Sequence, residues 1–137
     1  MPSGATGSRE GALENLRSVV EALPTIKKCV RGATTRDEFG FDTYPFAVVL
    51  NPVDSKEFTA AQSAKMIVKP ILEVYVQNYT QTQMEALYLE VWMGIIADPQ
   101  RGGNASNTIV GNYDPVDYLP NVQGFTLEMD IVLFVRL

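Results

Sequence analysis

Residues 123–137, QGFTLEMDIVLFVRL, place apolar side chains at every odd position from Phe125 to Val135, with Thr126, Glu128 and Asp130 between them. A period of two means a strand with one face in a core and one toward water, the habit of antiparallel sheets. Such a strand needs partners and an apolar cover. PFAVVLN (45–51) supplies a continuous apolar run of central-strand type, and IKKCVRG (26–32) a short strand. IVKPILEVYVQNY (67–79) is the longest strand expected. It has Val68, Leu72, Val74 and Val76 on one face and Ile67, Lys69, Ile71, Glu73, Tyr75 and Gln77 on the other. Pro70 cannot donate to a ladder, so an edge or a bulge is expected there. Residues 107–123 read as a weaker β region, and NPVDSKEFTAAQSAK (51–65) as a loop or a loop with one helical turn.

Two helices supply the cover. Ser8 can cap the first, running to about Leu23, with Ala12, Leu13, Leu16, Val19, Val20 and Leu23 on one stripe. Glu10, Glu14, Arg17 and Glu21 take the other side, and Pro24 ends the helix. TQTQMEALYLEVWMGIIAD (80–98) is the second, with a threonine as cap. The order is α-β-β-β-α-β-β. Strands outnumber crossover helices, so the expected fold is α+β: one domain over 8–137, a mostly antiparallel mixed sheet with two helices packed on it. Residues 1–7 are small and polar and read as a flexible arm.

Composition narrows the chemistry. The 137 residues contain no histidine, which removes Ser-His-Asp and Cys-His relays and histidine-ligated zinc. A net charge of −5 argues against a free-standing nucleic-acid binder. No apolar run approaches the roughly 20 residues of a membrane span, and the start lacks a secretory pattern. The single Cys29 permits no internal disulfide and fits a reducing compartment. The expectation is a non-enzyme with no cofactor, no metal and no membrane partner.

ADPQRGGNAS (97–106) imitates a phosphate loop, but a phosphate loop precedes a helix and carries GK[ST]. Here Gly102 and Gly103 follow a helix C-terminus, where the dipole repels anions. Asp98-Pro99 reads as a helix stop and the glycines as the reversal after it. The carboxylates of NYDPVDYL (112–119) and Glu128/Asp130 lack the glycine and terminal glutamate of a calcium loop. Cys29 has basic neighbours that could lower its pKa, but a small strand cysteine is the favoured reading. Asn78 and Asn104 begin glycosylation sequons, meaningful only after secretion.

Two features ask for partners. Lys27, Lys28, Arg31 and Arg36 form a basic run, either a lysine-protected edge strand or a contact for an acidic surface or DNA. On the 80–97 helix, Met84, Leu87, Tyr88, Val91 and Ile95 form one face. Leu89, Met93 and Ile96 form a second stripe between Glu85 and Glu90. A two-layer domain cannot bury both stripes on one sheet. Either the 52–65 loop covers the second stripe, or another subunit does.

The succession of an N-terminal helix, IKKCVRG, YPFAVVLNP, ILEVYVQNY, a helix closing in IIADPQRGGNAS, and GFTLEMDIVLFVRL resembles the tail terminator (tail-completion) proteins of long-tailed bacteriophages, phage lambda's among them. The likeness covers about residues 8–137. It implies a structural virion protein at the head-proximal end of the tail, assembled in the bacterial cytoplasm. Such a protein forms a ring, usually hexameric, that ends tube polymerisation and offers its other face to the head. Implied partners are further copies of itself, the major tail tube protein and a head–tail connector or stopper, with DNA passing through the bore unbound. On that likeness Leu89, Met93 and Ile96, with Glu85 and Glu90 beside them, become subunit contacts. The 32–44 and 98–107 loops, with Arg36, Phe39, Phe41 and Arg101, become docking loops, and Lys27, Lys28 and Arg31 a basic contact patch. Another head–tail connector or stopper, a tube-like protein, and a small-ligand α+β domain stay open as alternatives.

Overall fold

The computed structural model describes residues 8–32, 44–50, 52–60 and 63–136. Helices α1 (Arg9–Glu21) and α2 (Gln81–Ile96) accompany seven strands. These are β1 (Lys28–Arg31), β2 (Phe46–Val49), β3 (Val53–Ala60), β4 (Ser63–Lys69), β5 (Ile71–Gln77), β6 (Asn107–Leu119) and β7 (Val122–Arg136). The fold is α+β. The strands make one sheet, antiparallel except where β1 runs parallel to β2.

β7 organises it. One edge of β7 carries β5 and then β4, and the other edge carries β6. Val68 faces Ile131 and Ile71 faces Glu128, three residues on along each strand, so the register runs unbroken past Pro70. The expected strand 67–79 is therefore two strands in one line, β4 beginning at Ser63 and β5 ending at Gln77. The edge expected at Pro70 is corrected: this residue is buried between two neighbours. The irregularity falls on the chain opposite. Val49 faces Leu72 while Val53 faces Lys69, an extra residue in that strand between β2 and β3. On the β7 side the paired positions stop at Val68 and resume at Ile71, where the proline has no N–H to donate.

The 51–65 segment is a second correction. Instead of a loop it contributes β3 and the first residues of β4, an antiparallel hairpin, giving the order α-β-β-β-β-β-α-β-β. VDSKEFTA has no apolar alternation because β3 forms the outer rim of that hairpin and is held by backbone pairing. The weak β region also gains definition as β6, a 13-residue strand paired with β7 through a tight turn at 120–121.

Both helices lie on the odd face of β7. Ala12, Leu13, Leu16 and Val20 of α1 and Met84, Leu87, Val91 and Ile95 of α2 share a core with Val68, Leu72, Val74, Val76, Phe125, Leu127, Met129, Ile131 and Leu133. Ser8 caps α1, its hydroxyl accepting from the Gly11 N–H at 2.7 Å. Thr80 opens α2 with a reciprocal capping box to Gln83. The opposite face carries a smaller core: Tyr44, Phe46, Val48, Tyr75 and Val122, with Tyr118 packed against it. Phe46 stacks on Tyr75 at 4.7 Å between ring centroids, and Tyr75 meets Tyr118 at 4.4 Å.

The lateral edges are blunted by different means. On β1, the Cys29 N–H donates to Glu21 Oε1 and the Cys29 carbonyl accepts from Arg17 Nη1, both at 3.3 Å. An ion pair from α1 thus fills the place of an added strand. On β6, a register shift between Val110 and Tyr113 and the presence of Pro115 interrupt the edge. Because Leu127 is fully buried under both helices, Leu127→Ala should lower unfolding free energy by about 2–5 kcal/mol in chemical denaturation.

Candidate assembly surfaces

The helix α2 has the two faces its sequence implies. Met84, Leu87, Val91 and Ile95 are buried and Tyr88 half-buried. Leu89, Met93 and Ile96 stay 50%, 61% and 38% exposed. The 52–65 segment does not cover them; it is the β3–β4 hairpin. Glu85 is exposed beside the stripe, whereas Glu90 accepts from the Thr25 hydroxyl at 2.7 Å and the Thr25 N–H at 3.2 Å. Glu90 therefore ties α2 to the turn after α1.

A second apolar surface escaped the sequence reading. Val53, Ile109 and Phe134 are 74%, 54% and 41% exposed. Pairing places Val53 opposite Lys69 and Ile109 opposite Asp130, on the sheet face away from the helices. Half-buried Ile67, Ile71 and Val132 lie on the same face. The signal was present in IVLFV (131–135), where the alternation fails and even positions also become apolar.

Arg101 is a correction. It is completely buried, not a docking residue on an exposed loop. Its Nη2 donates to the carbonyl oxygens of Ile95 and Asp98, closing the free C-terminal end of α2. Burial lowers its pKa, with the Asp98 charge acting against that shift. The Asp98 carboxylate accepts from the Gly102 N–H at 2.9 Å and from Asn15 Nδ2 at 3.1 Å, clasping the turn to α1. Gly102 and Gly103 hold φ of 67° and 89°, values that side-chain-bearing residues seldom adopt. ADPQRGGNAS is thus a helix stop and an interhelix clasp.

The basic run is also reduced. Arg31 is engaged by Glu10 at 2.5 and 3.0 Å and lies 3.7 Å from Glu14, so among the described residues of the run Lys27 and Lys28 remain as exposed cations. Arg36, Phe39 and Phe41 lie outside the described residues. Cys29 is buried, and desolvation pushes its thiol up to about 12, opposite to activation by basic neighbours. Among the described residues no helix is long and apolar enough to cross a membrane, and no three acidic or cysteine side chains group as metal ligands.

The sequence matches no protein-family model and no curated protein. Among solved structures, a chain in the virion of a native gene transfer agent particle matches with a TM-score of 0.59 and 10% identity. The match covers 87% of this chain and 84% of that one.

Two predictions follow from these contacts. Arg101→Ala should lower stability by about 1.5–3 kcal/mol in urea denaturation, since it strips a charged donor from two buried carbonyls. Arg31 holds the Glu10 carboxyl below its ordinary range, and Arg17 does the same to Glu14 and Glu21. Depressed folded-state pKa values stabilise above the unfolded pKa and are lost as pH falls through the folded values. The thermal midpoint should therefore hold down to about pH 5 and then drop, less steeply in Glu10→Gln. At this level of identity the comparison establishes a shared fold.

Proposed function

We propose that this chain is a structural protein of a phage-like virion, a tail terminator that closes the tail tube as a ring and presents its other side to the head. The observation that carries the reading is the Leu89, Met93 and Ile96 stripe, exposed on a helix whose opposite side is the core. Three large apolar residues in a row mark an association surface. The fold shared with a virion chain supports a place in such a particle.

The ring is supported by a second feature. The α2 stripe and the Val53/Ile109 surface lie on opposite layers of the domain. A contact joining one to the other between copies is head-to-tail, and such contacts close into rings or continue as filaments. In this reading the work is interfacial, and no residue acts as a catalyst. The tube protein and a connector or stopper meet the two open faces of the ring. The acidic chain disfavours phosphate contacts, so DNA passes through the bore without being held.

Light scattering over a concentration series tests the ring. A hexamer of the 15.1 kDa chain weighs about 90 kDa. Met93→Glu and Val53→Glu should each give a folded monomer, because both side chains are exposed in the single chain. Mixed together, each variant retains the face that the other has lost, and a dimer should form. Long filaments from the unaltered protein would point to a tube protein instead. A monomer at every concentration would count against self-assembly without a tail.

A further inference from the structure

We propose that the cleft between α2 and β6 receives an arginine or lysine side chain from an extended segment of another polypeptide. Its volume is about 380 Å³, within the usual span of roughly 300–1,000 Å³ for ligand clefts. The α2 wall provides Met84 and Glu85, and the β6 wall provides Tyr113, Pro115 and Asp117, with Tyr79 at one end. Gly124 forms part of the floor. A Cβ there would collide with the Val74 carbonyl and sit 2.8 Å from the Tyr118 ring, neither of which lines the cleft, so the glycine is required by packing on the opposite sheet face.

The charge of the cleft is one-sided. Glu85 and Asp117 are exposed and have no hydrogen bond or ion pair among the described residues, and no lining residue is cationic. Burial raises the Tyr113 pKa, and the Glu85 charge raises it further, so that carboxylate acts across the cleft. Met84 and Pro115 suit the alkyl stem of a long basic side chain, while the carboxylates and the tyrosine rings suit its head. A phosphate or nucleic acid would find no donor cation here.

We assign the occupant to a different chain because this chain is acidic overall, with a net charge of −5. Residues 1–7 contain no basic side chain, and ATTRDEFGFDT (33–43) carries one arginine against three acids. This assignment stands independently of the ring, because it concerns a cleft within one copy. The probe is the blocked peptide acetyl-Gly-Arg-Val-Arg-Gly-amide, titrated into the full chain while backbone amide resonances are followed. Saturable shifts at Met84, Glu85, Asp117 and Gly124 are expected, with at least about tenfold weaker binding to the E85Q/D117N double variant. Glu128→Gln, an exposed carboxylate elsewhere, should leave binding unchanged. Absence of saturable shifts at the cleft overturns the proposal. So does equal binding of acetyl-Gly-Glu-Val-Glu-Gly-amide, or equal weakening by Glu128→Gln. If K27E/K28E lowers the oligomer mass as E85Q/D117N does, the occupant is a second copy and the proposal of a different chain fails.

Discussion

The pairing of β7 on both edges is the constraint on which the other elements depend. Its odd residues floor the core, β4 and β5 read their register from one side, and β6 reads its register from the other. The packing of α2 passes through the same strand: the Tyr88, Tyr113 and Phe125 rings, from α2, β6 and β7, lie within 6.0 Å of one another by centroid. Because this strand pairs with β4 and β5, which lie far earlier in the chain, the core cannot close until distant segments have met. Such long-range pairing delays folding relative to local contacts.

The charges of α1 are spent inside the subunit. Arg17 pairs with Glu14 and Glu21, Arg31 with Glu10, and Arg9 with Asp54 of β3. These pairs close the β1 edge and hold the helix over the sheet. Each is partly exposed and individually weak, so their joint effect is geometric placement more than stability. With those cations occupied, the α2 side presents apolar side chains and Glu85, which has no ion pair among the described residues. That chemistry suits contact with proteins better than contact with a polyanion.

Much of this fold was legible in local pattern. The alternation of β7, the buried run Phe46–Val49, both helix caps and the two faces of α2 follow from side-chain periodicity, which reports burial directly. The polar β3 was not legible, since strand pairing is made by backbone groups that every sequence shares. Arg101 was misread for a related reason. A charged residue beside two glycines looks solvent-bound in sequence, and only the end of α2 folded over it supplies acceptors that let a guanidinium be buried. The Val53/Ile109 surface could not be read before β3 and β6 had been aligned with their neighbours. Phe134 left a partial trace, in the failure of alternation at 131–135.

The sequence by itself determined the α+β class, the helix caps, the buried faces of the 67–79 segment and of β7, and the surplus apolar stripe on α2, because each of these depends on residues a few positions apart. Tertiary structure alone decided that Pro70 sits in mid-sheet opposite a bulge, that Arg17 and Glu21 close the β1 edge, and that Glu85 and Asp117 share a cleft. Those outcomes join residues far apart in the chain, and β-sheet register, set by backbone hydrogen bonding, decides which of them meet.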